Sequence, residues 1–274
     1  MKRSLKKRTL IIIATVAVLI SLIATVCAIE VKDSLFYMNT PTFINTKTDE
    51  NANGFNIAVK GELKTKEDYE AYIFTLEENG ALSLSFNHQS VQESMLDGWR
   101  VTLYYIENPD DDWYEYNELT YFDAFWADVT STWGETGVEA GTYCVVVEPG
   151  QLFLAGDFDL TVSFTPTESF EKEFNDTKET ATNLRLNRVI YGSSSQRQSD
   201  ADLDYYKFEI TSDGYIDMSF AHDNSKLPQV GWVVKLFTEN DYEIASFASK
   251  YQDPELRTGK INLHPGVYYI LVET

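Results

Sequence analysis

The chain has 274 residues, with 43 acidic against 22 basic side chains, a formal net charge of -21, and 43% hydrophobic and 14% aromatic content. So acidic a balance argues against nucleic-acid binding through a basic face, and so much apolar material argues against a disordered acidic tail. The length suits one large domain or two small ones.

Lys2, Arg3, Lys6, Lys7 and Arg8 precede an uncharged run from Thr9 to Ile29 rich in Ile, Val, Leu and Ala. A basic stretch followed by an apolar one is the order of a secretory signal. The run, about 20 residues long, would also span a bilayer as a retained anchor helix. Val26 and Ala28 stand at the small-residue positions of a cleavage site, which favours cleavage near Ala28. Cys27 follows Val26, where a lipoprotein signal usually carries a small residue. Residues 1–28 are therefore expected to be a signal peptide or membrane anchor, and the protein to be secreted or held on the outer face of a bacterial cell envelope. The exported part loses those five basic groups, repels anionic lipid and attracts cations. Membrane contact is then confined to the N-terminal segment where it is retained. Only Cys144 remains after cleavage, so no intramolecular disulfide holds the fold.

Beyond a linker at 29–44, the chain repeats itself. Tyr72, Phe74, Gly80, Ser85, Phe86 and His88 recur as Tyr206, Phe208, Gly214, Ser219, Phe220 and His222. Gly98, Trp99, Val101 and Leu103 recur as Gly231, Trp232, Val234 and Leu236, and Gly141, Tyr143, Val147 and Glu148 as Gly266, Tyr268, Val272 and Glu273. Spacing is fixed within each block and changes between blocks, as when blocks are strands and insertions lie in loops. Leu82, Leu84 and Phe86 alternate with Ser83 and Ser85, and Ile216, Met218 and Phe220 repeat the pattern. Gly-containing turns separate these stretches at Gly80, Gly141, Gly214 and Gly266. The expected fold is all-β, two tandem antiparallel sandwiches of jelly-roll type at 45–166 and 167–274. Phe158 to Phe164 ends the first with an alternating strand. The second stops at Thr274 without a counterpart, so it is expected to lack its last strand. That omission reads either as an incomplete reading frame or as a groove open to a donated strand.

The junction carries Glu171-Lys-Glu173-Phe-Asn175-Asp176, followed by Asp200-Ala-Asp202-Leu-Asp204-Tyr205-Tyr206 and later Pro265-Gly-Val-Tyr-Tyr269. In combination these resemble the bacterial pre-peptidase C-terminal domain family, related to the collagen-binding domains of clostridial collagenases. The resemblance covers about 170–274 well and 45–164 more weakly through the repeat. It implies a small, usually non-catalytic sandwich appended to secreted proteins, whose N-terminal linker in several members binds calcium. The implied ligands are Glu171, Glu173, Asn175 and Asp176, with Asp202, Asp204 and Asp200 from the facing loop. Calcium prefers six to eight oxygen ligands, which this set offers, and gathered carboxylates repel one another without a cation. The competing reading makes Asp176 the cap of a helical turn with Glu179 as capping-box partner, and the other acids solvated surface. Asp68 and Glu70 align with Asp202 and Asp204, but the segment before them lacks the acidic pattern.

No sequence signature of a nucleophile elbow, zinc helix or phosphate loop is present. His88 and His222 match each other, as for a structural position, Asp110 to Asp112 read as a solvated turn, and Cys144 reads as packed. An aromatic-rich stretch holds Trp113, Tyr114, Tyr116, Tyr121, Phe122, Phe125, Trp126 and Trp133. Phe122 and Phe125 have counterparts near Ile244 and Phe247, so part of it is core. Trp113, Tyr114, Tyr116, Trp126 and Trp133 are the candidates for an exposed ligand platform. The reading is a non-catalytic adhesion or accessory module whose partner is an extracellular protein or polysaccharide. The alternatives are the non-catalytic part of a larger secreted peptidase, or a carbohydrate-binding module using the aromatic stretch.

Overall fold

A computed structural model describes residues 41–46, 54–89, 96–109, 115–128, 130–154, 156–194, 202–222, 229–253 and 255–274, and these form one compact unit. The signal or anchor segment and most of the first linker lie outside the described residues. Among the described residues the regular elements are all strands, and no helix is long and apolar enough to cross a membrane.

The first set of strands comprises β1 (Thr42–Phe43), β2 (Phe55–Leu63), β3 (Glu70–Leu76), β4 (Gly80–His88) and β5 (Asp97–Ile106). It continues with β6 (Tyr116–Phe125), β7 (Thr130–Val138), β8 (Gly141–Pro149) and β9 (Gly156–Pro166). One sheet runs β1-β3-β8-β5-β6 and a second runs β2-β9-β4-β7. The β1–β3 pairing is parallel, and the other pairings are antiparallel. Period two decides which side chains meet: β4 buries Leu82, Leu84 and Phe86 and leaves Ser83 and Ser85 half-buried. Phe158, Leu160, Val162 and Phe164 do the same on β9. They close over Tyr72, Phe74, Trp99, Val101 and Val145 of the other sheet in one core, which makes a two-layer sandwich. His88 belongs to this packing, its ring 4.2 Å from that of Trp99 and 5.8 Å from that of Phe86. Burial holds its imidazole below the ordinary pKa, so it is neutral and structural.

The second set begins at β10 (Thr182–Asn183), β11 (Leu203–Ile210), β12 (Gly214–Ile216), β13 (Ser219–Phe220) and β14 (Val230–Thr238). It ends with β15 (Glu243–Lys250), β16 (Leu256–Arg257), β17 (Ile261–Leu263) and β18 (Gly266–Glu273). Its five-stranded sheet runs β10-β11-β18-β14-β15, again with a parallel first pair. The registers correspond as well. Tyr72 faces Val145 and Phe74 faces Tyr143, while Tyr206 faces Ile270 and Phe208 faces Tyr268. Phe122 faces Val101, and Phe247 faces Val234. The opposing layer is different, because among the described residues only the short pairs β12–β17 and β13–β16 stand where a four-stranded sheet stands in the first set. The core there is built on Phe208, Leu236, Leu263 and Tyr268, with Ile216, Met218 and Ile261 only partly buried against it.

Leu84 is 2% exposed, whereas Met218, at the matching place, is half-buried. Leu84→Ala should therefore cost about 2–5 kcal/mol, and Met218→Ala about 1 kcal/mol or less, compared by equilibrium urea unfolding. Equal costs would contradict this difference in packing.

Candidate metal centre

Between β9 and β11 the sequence loses its alternation, and 167–194 runs over the surface of both strand sets with β10 as its only strand among the described residues. One side of this segment lies against the first set. Glu171 N–H donates to Tyr191 C=O at 2.8 Å, and the Glu171 backbone passes so near β7 that a Cβ on Gly137 would sit 1.9 Å from the Glu171 carbonyl oxygen. Only glycine admits that approach. Ser193 Oγ and Thr136 Oγ1 are hydrogen-bonded at 3.0 Å, and the Phe174 ring packs on the first core, 6.5 Å from Tyr105.

Its other side is tied to the second set. Tyr205 N–H donates to Asn175 C=O at 2.9 Å and Leu184 N–H to Lys207 C=O at 2.7 Å. Leu203 N–H donates to Asp176 Oδ1 at 3.4 Å. Lys178 reaches Asp241 at 2.6 Å and lies 4.8 Å over the Tyr269 ring. The turn that follows is closed by Thr177 and Thr180, each accepting at its hydroxyl from the other's N–H at 3.3 and 3.2 Å. Thr177 and Thr180 thus hold this turn together.

These ties bring the acidic residues of the segment to those of β11. Glu171, Glu173, Asn175, Asp202 and Asp204 are all buried, none more than 7% exposed, and Asp176 is half-buried. One carboxylate oxygen each of Glu171, Glu173 and Asp204 lie within 4.8 Å of one another. Glu171 accepts from the Tyr206 hydroxyl, from Ser193 N–H and, at 3.4 Å, from Asn175 Nδ2. Oδ1 of Asn175 and Oδ1 of Asp204 are buried without a hydrogen-bond partner, a costly state for polar oxygens. Burial raises the Glu171 carboxyl to about 7, with Asp202 adding to the rise and the Tyr206 hydroxyl opposing it. Burial and then the charges of Glu171, Asp202, Glu173 and Asp176 raise Asp204 to about 10. A set of carboxylate and carboxamide oxygens with no nitrogen or sulfur suits a hard divalent cation. Calcium fits it: Glu171, Glu173, Asn175, Asp176, Asp202 and Asp204 would supply the oxygens. Asp200 lies outside the described residues.

In the first set, Asp68 is half-buried and accepts at Oδ2 from the N–H groups of Lys64 and Thr65, at 2.7 and 2.9 Å. It stabilises its own loop, and nothing there resembles the buried cluster. Of the aromatic candidates, Trp126 is 2% exposed, with its indole N–H donating to Leu152 C=O at 2.6 Å and its ring 4.1 Å from that of Trp99. Trp126 is thus a core residue and offers no exposed face to a ligand. Tyr116 is half-buried, edge-on to Tyr104 at 5.9 Å. Trp133 falls within β7, and Trp113 and Tyr114 lie outside the described residues. Cys144 is fully buried, and burial raises its thiol to about 12, which leaves it unreactive. Tyr206, Gly137 and the amide of Ser193 shape the acidic cluster without any sequence signal for that role beyond the place of Tyr206 beside Asp204.

No family model and no curated protein matches the sequence. Among solved structures, the chain is similar to the pre-peptidase C-terminal domain of a collagenase from Bacillus anthracis. The identity is 17% over 46% of this chain and 98% of that one, with a TM-score of 0.32. It is also similar to CorA, a surface-associated copper-binding protein of Methylomicrobium album, at 13% identity over 46% of this chain and 98% of that one, TM-score 0.28. A tandem of CBM22 domains from Paenibacillus barcinonensis Xyn10C matches at 14% identity over 74% of each chain, TM-score 0.27. At this level of likeness none of the three assigns a family or an activity.

The raised carboxyls set a sign for the metal-free protein. Folded Glu171 and Asp204 hold protons above their ordinary values of 4.5 and 3.8, so the folded state binds more protons than the unfolded one through that window. Stability should be greatest below about pH 4 for these groups and fall as pH rises through 7 towards 10. Urea midpoints measured in chelator from about pH 5 to about pH 9 check this. A rise with pH would show that the cluster is not protonated when folded.

Proposed function

We propose that the protein is a secreted or surface-held, non-catalytic binding or accessory module made of two sandwich copies in tandem, with calcium bound in the segment that joins them. The observation that carries this reading is the buried meeting of Glu171 and Glu173 with Asp204, two from the joining segment and one from β11. The correspondence of strand order and register supports the tandem arrangement, and the basic-then-apolar N-terminus supports export. The partner in this reading is an extracellular protein or polysaccharide.

Calcium supplies positive charge to a site that otherwise protonates or repels itself. The chain's own residues do the rest. Gly137 lets the segment lie flat on β7, Phe174 anchors it in the first core, and Tyr206 and Ser193 orient the Glu171 carboxylate. An ion shared between this segment and Asp202 and Asp204 would fix the second strand set to the first, and would add stability by mass action.

Thermal melts of residues 29–274, with calcium and with chelator, test the site. At calcium about 100 times Kd the gain is about 2.7 kcal/mol, a rise in Tm of roughly 5–10 °C for a unit of this size. Asp204→Asn should abolish that rise while raising Tm in chelator, because it removes a buried carboxyl that must otherwise take up a proton on folding. No calcium shift in the unsubstituted protein would sink the reading. Gly137→Ala changes none of the ligand residues yet lifts the segment off β7, and a lower calcium affinity in titration calorimetry is expected. Unchanged affinity would show that the packing on β7 does not position the ligands.

A further inference from the structure

In the first strand set β4 is paired on both edges. β7 lies on one side, and β9 on the other, from Gly80 facing Pro166 to His88 facing Phe158. Strands β12 and β13 occupy the place of β4, because Gly214 facing Leu263 and Ser219 facing Arg257 reproduce Gly80 facing Val138 and Ser85 facing Thr132. Among the described residues no strand pairs with their other edge. The missing neighbour has a measurable effect on the side chains. Leu82, Leu84 and Phe86 are at most 2% exposed, whereas Ile216, Met218 and Phe220 are only half-buried, and Tyr215 is 57% exposed.

The first set shows what fits such an edge. Strand β9 contributes Phe158, Leu160, Val162 and Phe164 at alternate positions, all buried. The Phe158 ring stacks 5.0 Å from Phe86 and stands edge-on to Tyr72 at 6.5 Å. The matching rings in the second set are Phe220, which lacks such a partner among its ring contacts with His222, Trp232 and Phe247, and Tyr206. We infer that the free edge of Gly214–Phe220 is a docking site for an extended peptide strand of the β9 pattern, apolar at alternate positions, that adds antiparallel beside it. The added strand would complete the backbone ladder and cover Ile216, Met218 and Phe220 at once, which is how strand addition couples hydrogen bonding to side-chain recognition. This inference is independent of the calcium reading.

The test uses the full chain and a labelled synthetic peptide of its own residues 156–166, with a control peptide carrying Leu160→Asp and Val162→Asp. Saturable binding of the first peptide alone is expected, with amide exchange across Gly214–Phe220 slowed at least about tenfold. Met218→Glu should lose both effects while exchange across Leu203–Ile210 stays as it was, which separates loss of the site from loss of the fold. Equal binding of both peptides, or protection of Gly80–His88 alone, overturns the inference. So does slow exchange at Gly214–Phe220 in the protein alone, since the edge would then already be paired. Protection that grows with protein concentration without peptide would put a second copy there and would also overturn it.

Discussion

Glu171, Glu173 and Asp204 bring three carboxylates together at buried positions, and the connection between the two strand sets has to accommodate that fact. At neutral pH such a group either holds protons or takes a cation, because like charges a few ångströms apart in a poorly screened interior repel strongly. The packing around the cluster leaves little freedom to escape by moving apart. Gly137 clamps the Glu171 backbone from one side, and the Tyr205 amide holds the Asn175 carbonyl from the other. Gly192 adds a second constraint, since a Cβ there would lie 2.7 Å from Glu171 Oε2 and 2.6 Å from the Tyr206 hydroxyl. The acids are held together by backbone geometry and short-range hydrogen bonds, so the energy of the site is decided by what neutralises them.

The two strand sets share a ladder but not a balance of forces. The first encloses Trp99, Trp126, Phe86, Phe158 and their neighbours between two broad sheets, and burial on that scale is the largest favourable contribution to folding. The second keeps the equivalent five-stranded sheet and has two short pairs opposite it. His222 still packs on Trp232, with rings 4.0 Å apart, as His88 packs, more tilted, on Trp99. The local chemistry of the strand end thus recurs even where the layer above it is thinner. What differs between the sets is therefore the covering of the sheet, while the arrangement within the sheet is maintained by the same alternation of residues.

Most of this was readable from the chain because it depends on short-range periodicity. The alternation at Leu82–Phe86 and its recurrence at Ile216–Phe220 specify strands and their inward faces, and the matched blocks anticipate the matched registers. The meeting of Glu171 and Glu173 with Asp204 falls on residues that the family resemblance implied, and these crowd into 171–176 and 202–204, so that a single close approach of two segments assembles them. Other features depend on contacts between residues far apart in sequence. Trp126 has the composition of a surface platform, yet its burial is decided by Trp99 and the Leu152 carbonyl, 27 and 26 positions away. Thr177 and Thr180 close the turn after Asp176 through their hydroxyls, which no motif marks. Gly137 carries no motif, and its role follows only from the passage of Glu171 above it.

A small core can be supplemented by disulfides, by a metal or by further chain. After residue 28 the chain has Cys144 as its single thiol, fully buried in β8, so cross-linking within the fold is closed to it. The second strand set, with Phe208, Leu236, Leu263 and Tyr268 as its centre, is left with the remaining two means, and they act at different places. An ion among Glu171, Glu173, Asp202 and Asp204 would fasten β11 to the joining segment, and through Phe174 and Gly137 to the larger first core. A strand beside Gly214–Phe220 would instead close the opposing layer. Charge neutralisation and strand addition thus answer one deficit by different means, and Tyr206, whose hydroxyl meets Glu171 and whose ring matches Tyr72, stands between them.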